Sequence, residues 1–166
     1  MSELRVRPAA DADLPTIRDI YNHYVRSSTV TFDEIESSVE DWQGKAIRIA
    51  AAGIPFLVAE SEGEVLGYAL GQPWSAKSAY RFTIENSIYL APSAAGRGVG
   101  WALLAVFLDS CREAGLRQVI AVIADRGAEA SIALHRKAGF ADAGRLFEVG
   151  EKFGDRLGVH FLQKAL

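Results

Sequence analysis

Between Ser87 and Cys111 the chain reads SIYLAPSAAGRGVGWALLAVFLDSC, and no other stretch constrains the fold so tightly. An apolar run with strand character stops at Pro92, which cannot donate to a ladder. Glycine then takes every second position, at Gly96, Gly98 and Gly100, with Arg97 and Val99 between, and an apolar helical pattern follows at once. The first turn of a helix leaves backbone N–H groups without intrahelical partners and carries the positive end of the helix dipole. Glycines let such a backbone approach a bulky anion with no Cβ in the way. Strand, glycine loop and helix N-terminus together predict a phosphate cradle. Two familiar cradles are excluded. A G-x-G-x-x-G fingerprint ends on Trp101 when read from Gly96 and on Leu103 when read from Gly98, and no Lys-Ser/Thr pair follows as a P-loop requires. Taken alone, the stretch is equally a flexible connection into a helix.

The remaining pattern alternates strands and helices. ELRVRPA predicts a short first strand, and Asp11 or Asp13 can cap a helix with Pro15 in its first turn and Ile17, Ile20, Tyr21 and Tyr24 at helical spacing. After an irregular link, SSTVTFDE, Ser38 with Asp41 forms a capping-box signature for a second helix over Val39 to Ala52, ended by Gly53 and Pro55. PFLVAESEGEVLGYALGQP reads as a hairpin and YRFTIENSIYL as a further strand. A helix is expected from Gly98 to Ala114 with Gly115 just past its end. LRQVIAVIA is then a buried strand, AEASIALHRKAG a helix closed by glycine, and the last 27 residues hold two strands. The order β-α-α-β-β-β-α-β-α-β-β predicts one α/β domain over residues 1–166, a mixed sheet with helices on both faces.

Composition narrows the function. With 18 basic and 21 acidic residues the net charge is −3, and no run of like charges is present, so a nucleic-acid partner is not expected. Cys111 is the single cysteine, falls in an apolar helix and is expected to be a small core residue, which leaves no internal disulfide. The charged N-terminus shows no signal-peptide pattern, and no run reaches the roughly 20 apolar residues that span a bilayer. The expected setting is the cytoplasm.

The stretch GRGVGWALL, followed some 40 residues later by SIALHRKAGF, resembles the GNAT (GCN5-related) N-acetyltransferases. IYNHYV, TFDE, PFLVAE, GYALGQPW, AYRFTIENSIYL, AGF and FLQKAL look like its phosphinothricin/methionine sulfone acetyltransferase branch, over nearly the whole chain. The resemblance implies the acyl-CoA N-acyltransferase fold, acetyl-coenzyme A as cosubstrate, no metal, a small amine as acceptor and a homodimer. In that family the glycine loop holds the pyrophosphate of the cosubstrate, which assigns Gly96, Arg97, Gly98, Val99, Gly100 and Trp101 to it. Backbone groups of Ile88, Tyr89 and Leu90 would bind the pantetheine arm and polarise the thioester carbonyl, as fixed donors where negative charge develops. Splaying of this strand from QVIAVIA would open the slot for the arm.

Glu85 is the carboxylate to explain. In TIENSIY, Thr83, Glu85, Ser87 and Tyr89 share one face of the strand and Ile84, Asn86, Ile88 and Leu90 the other. Such a glutamate is either on a solvated face or a general base at a cleft. An acceptor amine must lose a proton before it can attack, and a partly buried carboxylate has a pKa raised toward the working pH. The branch has a glutamate at this place, so the resemblance carries the base role to Glu85. His135 stands where many family members have a tyrosine that protonates the departing thiolate, one turn after Ser131, which is assigned to the cosubstrate. His160 is a weaker candidate near the acceptor, and His23 is expected to pack or face solvent. The acceptor pocket is expected from Phe32, the Trp74–Tyr80 segment with Ser75, Lys77 and Tyr80, and Glu85, Asn86 and Ser87.

Three departures from the branch, at four positions, stand out. Ala95 replaces a Gln or Arg, Ala128 replaces an Asn that binds the cofactor arm, and Arg156 and Gly158 replace Trp and Asp. The first two remove side-chain contacts worth about 1 kcal/mol each but leave the backbone cradle. Two other functions stay open: a non-catalytic acyl-CoA sensor, and an acetyltransferase of protein amines.

Overall fold

The computed structural model describes residues 3–166, so the first two residues of the expected domain lie outside it. The strands are β1 (Arg5–Pro8), β2 (Phe56–Ser61), β3 (Glu64–Pro73), β4 (Thr83–Leu90), β5 (Gln118–Ala124), β6 (Ala141–Lys152) and β7 (Asp155–Ala165). The helices are α1 (Leu14–Ser27), α2 (Val39–Ala51), α3 (Val99–Glu113) and α4 (Glu129–Lys137). Element order matches the expectation, and helix ends differ from it by one residue.

One seven-stranded sheet runs β1-β2-β3-β4-β5-β7-β6, and β4–β5 is its one parallel pair. Parallel neighbours need a crossover, and α3 supplies it. The sheet's two faces are covered by different helices. On one, Tyr68 and Tyr89 stack at 5.7 Å between ring centroids and meet Tyr21 and Tyr24 of α1 and Trp42 of α2. On the other, Phe107 of α3 packs over Gly71 and Ile84, and α4 lays His135 against Asn86. The alternation read in β4 decides which side chain meets which face: Glu85, Ser87 and Tyr89 look toward α1 and α2, Asn86 and Ile88 toward α3 and α4.

The α2 capping box forms as its sequence predicts. Ser38 N–H donates to Asp41 Oδ2 at 2.8 Å, and Asp41 N–H donates to Ser38 Oγ at 3.1 Å. The start of α1 differs. Asp11–Asp13 form a 3₁₀ turn, and neither carboxylate caps the helix. The Asp13 carboxylate instead accepts both Arg7 Nη groups, at 2.7 and 2.9 Å, and the Ala10 N–H, while Arg7 Nε donates to Glu60. A bidentate guanidinium competes better for a carboxylate than an orphan helix N–H does, and the Arg7 hydrogen bond holds the Asp13 carboxyl below its usual range. Cys111 is fully buried, and burial pushes its thiol up to about 12.

Candidate active site

β4 and β5 pair only where Thr83–Asn86 meets Gln118–Ala121. Beyond that point β4 stays bonded to β3 and β5 to β7, and the two strands part. A cavity of about 660 Å³ occupies the gap, a volume suited to a small-molecule site. Its walls come from both sides of the sheet. Tyr24, Val30, Thr31 and Phe32 line it from α1 and the following loop. Gly96, Gly98, Gly100 and Trp101 line it from the start of α3, and Ala128, Ser131, Leu134 and His135 from α4. Glu85–Leu90 and Ala121–Ala124 form the strand walls.

The glycine loop has the geometry its sequence predicts. Gly96 and Gly98 adopt φ of 73° and 78°, and a Cβ on either would meet open space, so the backbone there is open to a ligand. Gly98 is the N-cap of α3, with no side chain satisfying the first-turn amides. Val99 turns into the core, Arg97 is exposed, and Trp101 at the rim carries the Lys137 ammonium 4.5 Å from its ring centroid.

Glu85 is half-buried at the point where the strands part, and burial raises its carboxyl pKa above the usual carboxylate range. His135, 2 % exposed, is engaged at both nitrogens. Nδ1 lies 2.7 Å from the Ser131 carbonyl oxygen, which can only accept, so Nδ1 carries the proton. Nε2 lies 3.1 Å from Asn86 Nδ2 and accepts from it. Burial lowers the His135 pKa, against the Ser131 carbonyl, which raises it. The neutral ring therefore has its one N–H committed to a carbonyl. The arrangement also sets the Asn86 amide, whose Oδ1 is buried with no partner among the described residues.

Not every expected residue arrives at the cavity. Ser75, Lys77 and Tyr80 lie on the exposed β3–β4 connection, outside the lining, and Trp74 packs edge-on against Phe161. His160 lies on β7 opposite Ile123 and Arg145, and His23 packs edge-on against Tyr24; neither lines the cavity. Tyr24 and Thr31 line it without having been singled out from sequence. Tyr24 reads as one more apolar-face position of α1, yet its Oη donates to the Leu90 carbonyl at the cavity wall. Thr31 sits in an irregular link with no periodicity to read.

The three departures acquire physical form. Ala95 and Ala128 both line the cavity and leave backbone in place of polar side chains. At position 158 a Cβ would overlap the Leu146 carbonyl oxygen and lie 2.7 Å from Asp125 Oδ2. A carboxylate thus stands beside this position after all, supplied by the end of β5.

An open, positive-φ glycine loop and a parted pair of strands suit acetyl-coenzyme A: room for a diphosphate and an extended edge for the arm.

The family model described as Acetyltransferase (GNAT) family matches residues 17–140. A phosphinothricin N-acetyltransferase of Alcaligenes faecalis is 42% identical over 161 residues, covering 97% of this chain and 82% of its own. An L-methionine sulfoximine/L-methionine sulfone acetyltransferase of Pseudomonas aeruginosa is 38% identical over 159 residues, 95% of this chain and 92% of its own. The structure of a GNAT phosphinothricin acetyltransferase from Sinorhizobium meliloti, solved with acetyl-coenzyme A, superposes with a TM-score of 0.93 at 40% identity, over 98% of this chain and 88% of its own.

Proposed function

The chain belongs to the acetyltransferase (GNAT) family and is an acetyl-coenzyme A-dependent N-acetyltransferase; from that premise we propose that it acetylates the amine of a small amino-acid-like acceptor, of the phosphinothricin or methionine sulfone kind, by direct transfer. The observation that carries this reading is the position of Glu85, half-buried at the apex of the β4–β5 gap on the α1/α2 side, while the glycine loop lines the same cavity from the α3/α4 side. Donor and acceptor would enter from opposite faces and meet at the carboxylate.

Bound acetyl-coenzyme A supplies an activated acyl thioester. The amides at the start of α3, with the loop glycines, hold its diphosphate, and the free edge of β4 from Ser87 to Leu90 orients the arm. Glu85, directly or through a water, takes the proton of the acceptor ammonium and frees its lone pair. Backbone N–H groups near Ile88 stabilise the charge that develops on the carbonyl oxygen. His135 acts as the fixed partner of Asn86, and the leaving thiolate takes its proton from water. Relatives named for phosphinothricin and methionine sulfone acetylation support the acceptor class. A homodimer built on β6 and a cytoplasmic setting complete the proposal.

Thiol release from acetyl-coenzyme A, measured against phosphinothricin, L-methionine sulfone, neutral amino acids and an alanine-terminated peptide, tests the reading. Phosphinothricin and L-methionine sulfone should react fastest. Glu85→Gln should lower kcat/KM by about 10²-fold or more and leave calorimetric acetyl-coenzyme A binding unchanged. The parent's kcat/KM should fall as pH drops through the raised Glu85 pKa, because only the carboxylate accepts the proton. Full turnover in Glu85→Gln removes the base role, and tight cosubstrate binding with no reactive amine replaces the enzyme with a sensor.

A further inference from the structure

Lys152, at the β6 end of the β6–β7 hairpin, is 2 % exposed, a rare place for a lysine. Its ammonium has three protons. It lies 2.7 Å from the Ser28 carbonyl oxygen, 2.9 Å from that of Thr31, and 3.5 Å from that of Tyr24. All three carbonyls belong to the last turn of α1 or the loop that follows, where the negative end of the helix dipole favours a cation. Two residues earlier on β6, Gly150 packs against the Phe32 ring so closely that a Cβ there would lie 2.7 Å from it. The loop is tied elsewhere by Thr29 Oγ1 donating to the Arg126 carbonyl and by Asn22, which bonds the Ser37 backbone. Between those ties Val30, Thr31 and Phe32 form the α1-side wall of the cavity.

We propose that Lys152 is a positioning residue for the acceptor: its ammonium straps the β6–β7 hairpin to the carbonyls of Ser28 and Thr31 and so fixes the wall formed by Thr31 and Phe32. This rests on the reading that the acceptor enters from the α1/α2 side. The strap touches no part of the glycine loop or of α4. Its loss should therefore loosen one half of the cavity and leave the other intact. A lysine that only caps α1 would affect stability without distinguishing the two substrates.

The test is steady-state kinetics with L-methionine sulfone as acceptor, alongside calorimetric binding of acetyl-coenzyme A. Lys152→Met keeps the stem and removes the charge. Gly150→Ala is the second variant, because it leaves Lys152 in place and displaces Phe32 from the hairpin side. Both should raise the acceptor KM about tenfold, with kcat within about twofold and acetyl-coenzyme A affinity unchanged. Should Lys152→Met fail to fold, Lys152→Gln, which removes the charge and keeps a side-chain donor, is measured by the same criteria, with Gly150→Ala reporting on the wall alone. An unchanged acceptor KM in the folded variants, or a parallel loss of acetyl-coenzyme A affinity, overturns the strap. Phe32→Ala separates the two levels: a raised acceptor KM there but not in Lys152→Met overturns the role of Lys152 alone. An unchanged KM in Phe32→Ala overturns the acceptor reading and the strap with it.

Discussion

His135 shows how a single residue type under-determines its chemistry. Its place before the AGF segment predicts an acid, but its surroundings hold it as a neutral ring whose N–H is given to Ser131 and whose lone pair is taken by Asn86. A glutamine can also accept from Asn86, so His135→Gln should keep turnover within about tenfold of the parent, whereas loss of a true general acid costs about 10²-fold or more. Stability carries a second signature. The folded pKa of His135 lies below that of an unfolded histidine, about 6.5, so over that interval the unfolded chain binds more protons. The stability of the neutral ring is therefore complete above about pH 6.5 and is lost as pH falls toward the folded pKa. Melting temperatures measured across this range should drop on acidification in the parent and drop less in His135→Gln. The Asn86 contact was not legible in the sequence, since it joins residues 49 apart across a sheet and a helix. The placement of Glu85 at the cleft, one of the two readings its strand allowed, was legible because strand alternation is local and a lone carboxylate in an apolar strand asks for a reason.

At the scale of elements, the unit that matters is β4, the glycine loop and α3. Gly98 takes φ 78° at the N-cap, and a Cβ there meets nothing, so a side chain costs backbone strain alone. That strain is about 1–2 kcal/mol for a non-glycine residue in the left-handed region. Gly98→Ala should therefore fold, and because its methyl would occupy the open space beside the loop backbone it should weaken acetyl-coenzyme A binding about tenfold, the equivalent of about 1.4 kcal/mol. Gly115→Ala is the matched control: φ is 80°, the Cβ is equally free, and the position lies at the far end of the same helix. Calorimetry should find its cosubstrate affinity unchanged. Equal losses in both variants would mean that strain in α3 generally, rather than the loop amides, sets affinity. The strand-loop-helix signature survived from sequence to structure because each part is written in adjacent residues. The β3–β4 connection was less legible. Ser75, Lys77 and Tyr80 carry suitable chemistry in a suitable order, but the path of an exposed connection depends on long-range packing that spacing does not encode. Lys152 escaped for a related reason, as nothing near it in the chain marks a lysine for burial.

At the scale of the whole molecule, β6 is the element that the single chain leaves incomplete. Ala141 to Val149 are all exposed, although a strand turns alternate side chains to opposite faces. Both faces are thus bare, and with β7 on one side the other edge is open as well. The exposed residues include Leu146, Phe147 and Val149, with Phe153 beyond in the turn. The ladder also breaks between Leu146 and Gly150, where Phe147, Glu148 and Val149 stand opposite Gly158 and Glu148 takes a positive φ. Bulges of this kind end pairing and re-aim side chains. Here the bulge leaves Phe147 68 % exposed, with the Arg145 guanidinium over its ring. An apolar strand exposed on two faces and an edge is an aggregation hazard unless something covers it. A second copy does so symmetrically and leaves no further surface open. Sedimentation of the purified protein should therefore give a dimer, and Phe147→Asp should shift it to monomer by placing charge where the apolar contact closes. Because the same hairpin holds Lys152 and Gly150 against the cavity wall, the monomeric variant should also bind the acceptor more weakly while binding acetyl-coenzyme A as before. A parent that sediments as a monomer, or a Phe147→Asp variant that remains a dimer, would leave β6 covered by some other means and break the link between assembly and the acceptor half of the site.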